Sequence, residues 1–390
     1  GRHEVNLVLP EVVQARTARA VLKVGGQIAF QSELRLEPVR RLTVYILPHS
    51  HVDIGYTEHQ SKIEQKQMSN LARAIELARA TADYPEGARY KWNVEVLWAV
   101  DSYLRQASAE QRREFIEAVR SGQVGLQAMY GNELTGLCRP EELMQLFEYA
   151  TRLGPECGVA VDNAMISDVP GYTWGVISAM AQAGVKYFSI APNYTDRIGH
   201  TRAAWENKPF YWIGPSGKDK VLCSLPYFGY ALSHLTPPER KTPRMLELAE
   251  FLRAENYPYD VVYIRWSGYG DNAVPDESLP DWVKEWNERY AWPRLIIATA
   301  SEAFQEFERR YGDRLPQAAG DWTPYWEDGA GSTSRETALN RASADRLVQA
   351  DALFAMLAPE RRPADKFAEA WRNVLLYSEH TWGAHCSISR

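Results

Sequence analysis

From residue 42 to about residue 310 the chain repeats one pattern. A short apolar, β-branched run is followed by a polar loop and then by a stretch with apolar residues three and four apart. Residues 42–47, 90–93, 124–129, 159–166, 187–190, 261–266 and 295–298 read as strands. Residues 63–82, 96–104, 111–119, 141–153, 174–183, 243–255, 282–290 and 302–310 read as helices, the last capped by Ser301. Residues 210–213 and 221–225 read as a hairpin around Pro215-Ser216-Gly217. Strands that alternate with helices imply a parallel sheet covered on both faces. No strand is followed by GxGxxG, which speaks against a dinucleotide-binding doubly wound sheet. An α/β barrel is the expected class.

A barrel takes about 250 residues, so a chain of 390 has flanking material. Three regions are expected. Residues 1–41 form a β-hairpin segment with Gly25-Gly26 at its turn, either packed on the main domain or the remnant of a preceding β domain. Residues 42–315 form the barrel. Residues 316–390 hold an aromatic loop and two helices, 334–357 and 364–377, that belong to a helical bundle. The chain starts at Gly1 and stops soon after the second helix, so further sequence is expected at both ends. A net charge of −6 argues against nucleic acid or an anionic membrane as the main partner. No apolar run is long enough to span a bilayer, no signal peptide is visible, and the compartment stays open. Cys138, Cys157, Cys223 and Cys386 form no CxxC pair and imply neither a zinc ribbon nor a disulfide framework.

The unusual polar residues fall in one kind of place. Asp53, Asn132, Glu133, Asp168, Asn193 and Asp271 each follow a strand, where barrels build their active sites. The densest cluster is His49-Ser50-His51-Val52-Asp53. In extended chain, residues two apart share a face, so two imidazoles and a carboxylate can converge as ligands for zinc or a similar ion. The plainer alternative is a turn with a histidine bonded to backbone. Asp168 precedes Pro170-Gly171 and reads either as a turn residue or as a carboxylate aimed into the barrel mouth. Asp271 lies between Gly270 and Asn272; a second carboxylate facing the first is what glycoside hydrolysis requires. His380 follows a helix and by itself reads as a helix-end cap. His3, His59, His200 and His234 have no patterned neighbours and read as surface or satisfied histidines.

The His49–Tyr56 segment resembles the HSH-x-D-PGW segment of the glycoside hydrolase family 38 α-mannosidases. Ile166-Ser167-Asp168, Gly270-Asp271, the stretch from Gly320 through Tyr325 to Thr333-Ser334-Arg335, and Glu379-His380 follow in the order of that family's later blocks. The resemblance implies a (β/α) barrel of about seven main parallel strands followed by part of a helical bundle. It implies one Zn2+ or another divalent ion per chain, bound by His51, Asp53, Asp168 and His380. Asp168 would also be the nucleophile of a retaining reaction and Asp271 the general acid, with Asp276 and Glu277 as nearby substitutes. His49, Tyr56, Asn132, Glu133, Tyr269 and Tyr325 would support ligands or contact the sugar. Departures are Tyr56 in place of a tryptophan, Asn272 in place of an aromatic residue, and Glu379-His380-Thr381 in place of a His-Asp pair. The implied partners are a carbohydrate substrate and further domains of a longer chain, with no nucleic acid or membrane. The expected activity is a zinc-dependent retaining α-glycosidase acting on α-mannosides or related sugars. A metal-dependent polysaccharide deacetylase and a non-catalytic carbohydrate-binding relative are the alternatives.

Overall fold

A computed structural model describes residues 7, 9–193, 201–322 and 326–381. Strands β1 (Arg16–Val24) and β2 (Gln27–Leu36) pair antiparallel. Gly25 and Gly26 turn between them at φ +58° and +82°, a conformation that suits a two-residue hairpin and that glycine adopts without strain. Most of this hairpin is exposed, Val24, Ile28 and Phe30 included.

The alternation expected from residue 42 onward is present. Strands β3 (Thr43–Pro48), β4 (Trp92–Val94), β5 (Val124–Leu126), β6 (Asn163–Asp168) and β7 (Tyr187–Pro192) are separated by helices. After them come β8 (Phe210–Ile213), β9 (Lys220–Ser224), β10 (Val261–Trp266), β11 (Arg294–Ile297) and β12 (Gln317–Ala319). The order β10-β3-β11 makes one sheet and β12-β8-β9-β7-β6 another, with β4 and β5 paired separately. Every pairing in these sheets is parallel except β8 with β9, the expected hairpin. The backbone ladders thus form separate sheets. Side chains and loops bridge the gaps: Asn93 Nδ2 donates to Pro48 O and Ala298 O at 3.2 and 3.1 Å, and Ala128 N donates to Asn163 O at 2.7 Å.

Strands β3, β6 and β10 are buried almost throughout, as strands covered on both faces must be. The covering helices turn one stripe inward. In Gln60–Ala80 that stripe holds Ile63, Leu71, Ala74, Ile75 and Ala78. One helix start differs from expectation. Thr299, not Ser301, caps the helix Ala300–Tyr311, because Thr299 and Glu302 form a reciprocal capping box. Ser301 instead donates to Asp162 Oδ1 at 2.8 Å.

The two late helices, Ser334–Leu357 and Ala364–Ser378, lie where the sequence places them. Their burial differs. The second turns Phe367, Trp371, Val374 and Leu375 inward, whereas the first buries only Ala344 and leaves Leu353, Met356 and Leu357 exposed. No described helix is long and apolar enough to cross a membrane. Cys138, Cys157 and Cys223 are free thiols; Cys386 lies outside the described residues.

Candidate active site

The strand before His49 and His51 ends at Pro48, so residues 49–53 are loop rather than extended strand. One ladder bond carries on past the end, His49 N to Trp266 O at 2.9 Å. What aligns the two imidazoles is a shared acceptor. Glu95, fully buried just after β4, has His51 Nδ1 at 3.0 Å on Oε1 and His49 Nδ1 at 2.8 Å from Oε2. Four more donors converge on this carboxylate: Val52 N at 3.3 Å, Asn132 Nδ2 at 2.8 Å, Ser167 Oγ at 2.7 Å and Arg265 Nη2 at 2.8 Å. Glu95 therefore joins the carboxyl ends of β3, β4, β5, β6 and β10.

With Nδ1 so held, His51 turns Nε2 toward Asp53, 3.1 Å from Oδ1. The Asp53 loop is stitched to Asn272: Asp53 N donates to Asn272 Oδ1 at 3.3 Å, Asn272 Nδ2 to Asp53 O at 3.0 Å, and Asn272 N to His51 O at 2.9 Å. Asp168 closes β6 at φ +69°, a left-handed conformation that Asp tolerates better than most residues. Its Oδ1 accepts from Tyr230 Oη and Asn193 Nδ2, both at 2.6 Å. His380 reaches the same place from the far end of the chain. Residues Asn132–Leu134 pair with Ser378–His380 through Leu134 N to Ser378 O at 2.8 Å and His380 N to Asn132 O at 2.9 Å. His380 Nε2 then lies 3.2 Å from Asp53 Oδ1 and 3.6 Å from Asp168 Oδ2.

One ligand atom from each of His51, Asp53, Asp168 and His380 lies within 4.8 Å of the others. Among the described residues, His51 Nε2 and His380 Nε2 are buried and lack any aligned hydrogen-bond partner. Buried imidazole nitrogens that face two carboxylates without an aligned hydrogen bond suit a divalent ion of intermediate softness. The four groups' own charges draw positive charge to this place: against burial, the neighbouring carboxylates raise both imidazoles well above the ordinary histidine range. Burial pushes the Asp53 carboxyl up, but His51 and His380 outweigh it and hold its pKa well below the ordinary range. Asp168 follows the same balance and is also lowered, with His380 and His51 outweighing its burial.

Asp271 differs. It sits 3.3 Å from His234 Nε2, and burial, helped by Asp53 and Asp168, raises its pKa. The short helix Ala231–His234 is tied to its loop through Gly270 N to His234 O at 3.0 Å and Ser267 N to Ser233 Oγ at 2.6 Å.

A family model for the N-terminal domain of glycosyl hydrolases family 38 matches residues 41–328. The chain belongs to glycosyl hydrolase family 38. Among solved structures, an α-mannosidase from Enterococcus faecalis V583 aligns at TM-score 0.67 and 15% identity over 89% of this chain and 39% of its own. A family 38 protein from the same species aligns at TM-score 0.60 and 15% identity, over 90% of this chain and 37% of its own. A 4-α-glucanotransferase from Thermococcus litoralis aligns at 0.50 and 14% identity, over 80% of this chain and 47% of its own. At such identities the likeness is one of fold, and the chain spans about two-fifths of the length of the two family 38 structures. No curated protein sequence matches.

Within this family 38 domain, the four residues expected as ligands come together, and His49 lies behind them against Glu95. His380 is no helix cap: Glu379 ends the helix, and the His380 ring enters the cluster. His234, read from sequence as a satisfied or surface histidine, is mostly buried and faces Asp271. His59 is exposed, and His3 and His200 lie outside the described residues. The two substitutes for Asp271 are engaged elsewhere. Asp276 accepts from Trp266 Nε1 at 3.0 Å and pairs with buried Lys241 at 2.9 Å; Glu277 pairs with Arg73 at the surface. Asn132 is buried and spends its amide on Glu95 and Val52 O, while Glu133 is buried with no hydrogen-bond partner on either oxygen among the described residues. Tyr56 lines a cavity of about 770 Å³ with His59, Tyr377 and Thr381; Tyr269 is 66% exposed, and Tyr325 lies outside the described residues.

Glu95 and Arg265 escaped the sequence reading. Each is a single charge in an otherwise apolar run, Trp92–Val100 with its one other polar residue Asn93, and Val261–Trp266. Lone opposite charges in two buried apolar segments are the signal of a buried pair.

Proposed function

We propose that this domain carries the active site of a metal-dependent retaining α-glycosidase acting on α-mannosides or related sugars, within a barrel of about seven main strands (residues 42–315) and a helical-bundle portion (316–390). The carrying observation is the buried cluster of two imidazoles and two carboxylates whose histidine Nε2 atoms have no other aligned partner. Zinc held by His51, Asp53, Asp168 and His380 would supply a Lewis acid that orients the sugar through its hydroxyls.

The protein's own part follows from two carboxyls, Asp168 within that cluster and Asp271 outside it. Asp168 is kept ionised, as a nucleophile must be, and Tyr230 and Asn193 fix its Oδ1. Asp271 is held toward its protonated form, as a general acid must be. The Asp168 carboxylate attacks the anomeric carbon while Asp271 passes its proton to the leaving oxygen. Asp271 then takes a proton from water, whose oxygen attacks the same carbon and frees Asp168 with the anomeric configuration retained.

The test is a panel of aryl α- and β-glycosides assayed with and without chelator. Turnover of an α-glycoside, lost on chelation and restored by zinc, is expected. Acetate release from acetylated saccharides without glycoside turnover would replace this reading with the deacetylase one. Sugar binding with neither product would replace it with a binding role.

A further inference from the structure

We propose that Glu95 and Glu379 are positioning residues, each holding Nδ1 of one cluster histidine so that Nε2 is presented to the metal. The inference rests on the metal reading above. His51 Nδ1 lies 3.0 Å from Glu95 Oε1, and His380 Nδ1 lies 2.5 Å from Glu379 Oε1. Both glutamates are 1% exposed. A buried carboxylate on Nδ1 fixes the imidazole tautomer with its lone pair on Nε2, orients the ring, and makes it a better ligand.

Neither glutamate is free to turn away. Glu95 is pinned by Val52 N, Asn132, Ser167 and Arg265. Glu379 uses its second oxygen on Thr381, accepting from the backbone N at 2.9 Å and from the hydroxyl. Thr381 Oγ1 in turn accepts from Gly55 N at 3.1 Å, two residues beyond Asp53. Glu379 thus latches the last ligand onto the loop that carries the first two. A purely structural glutamate at so buried a place calls for a cation to offset its charge. Glu95 has Arg265, but among the described residues Glu379 has no Lys or Arg within ion-pair distance, and His380 is its partner. The Glu379 carboxylate is therefore accounted for by the imidazole it holds.

The experiment measures Zn2+ affinity of the purified chain by competition with a chromophoric chelator, and the visible spectrum of the Co2+-substituted protein. The variants are Glu379→Gln, Glu379→Met and Glu95→Gln. A Glu95→Gln/Arg265→Met double variant removes the buried arginine that Glu95→Gln would strand. The expected result is a Zn2+ affinity about 10–100-fold weaker, with Gln milder than Met, and altered Co2+ bands. Melting of the metal-free Glu379→Gln protein should match the parent. Folded variants that bind Zn2+ as the parent does, with an unchanged Co2+ spectrum, would overturn the proposal; so would a lowered melting temperature with unchanged affinity. If the parent itself binds no Zn2+, the metal reading fails and carries this inference with it.

Discussion

Asp168 and Asp271 each take one partner from the same short segment, yet they are held very differently. Tyr230 donates to Asp168, and His234, four residues later, faces Asp271. Asp168 has two hydrogen bonds on one oxygen, His380 near the other, and a side chain 17% exposed. Among the described residues Asp271 has one loose contact, at 3.3 Å, and its side chain is 28% exposed. The difference follows from the jobs proposed for them. A nucleophile that also meets a metal needs a fixed position and an ionised carboxyl. A residue that gives and later retrieves a proton needs a partner that does not commit it to one state.

Breaking the rigid side should cost most. Asp168→Asn is expected to lower kcat on an aryl α-glycoside by at least about a thousandfold, since an amide does not form the glycosyl ester. Parent-like kcat in that variant would exclude it as nucleophile. Asp271→Asn should cost about 10²–10⁴-fold on substrates with poor leaving groups, but far less in the first step with a dinitrophenyl leaving group, which departs without a proton. Equal losses for both leaving groups would show that Asp271 is not the acid.

The pH profile sharpens the same contrast. Asp271 is raised by burial and by Asp53 and Asp168, against the lowering influence of His51 and His234. Activity needs it protonated, so the alkaline limb of kcat/KM should lie above the ordinary carboxyl range. His234→Gln, which removes one lowering neighbour, should move that limb upward by at most about one pH unit. A downward move would contradict the assignment.

The smallest effect is expected away from the site, at another buried carboxyl. Glu142 has no side-chain hydrogen bond on either oxygen, and burial, against its backbone bond near Arg139 and the charge of Arg341, raises its pKa from 4.5 to about 7. A raised carboxyl contributes stability that is full below pH 4.5 and is lost as pH climbs through about 7. Glu142→Gln should therefore stabilise the fold by about 1–3 kcal/mol at pH 8 and by little at pH 4, as read from denaturant melts at both. Equal effects at the two pH values would show that Glu142 is not held protonated.

Much of this was legible before folding. The alternation from residue 42 predicts buried parallel strands, and β3, β6 and β10 are such strands because their apolar runs are too continuous for a half-exposed sheet. Hairpin β1–β2 and the helices Ser334–Leu357 and Ala364–Ser378 followed from turn glycines and apolar stripes. The helix boundary at Thr299 was misplaced because two hydroxyl residues compete there, and only Thr299 has a glutamate three positions on.

The sequence by itself determined the ligand types and where along the chain they occur. It placed His51, Asp53 and Asp168 at strand ends, because strand periodicity and loop composition are local properties. Tertiary structure decided which groups meet. Glu95 reaches His51 across 44 positions, and Arg265 reaches Glu95 across 170, contacts that no local pattern encodes. His380 comes to the cluster only because its segment pairs with Asn132–Leu134. His234 finds Asp271 through the packing of a four-residue helix that the sequence did not announce. Local physics thus chose the donors, and burial of the strand ends against one another chose their partners.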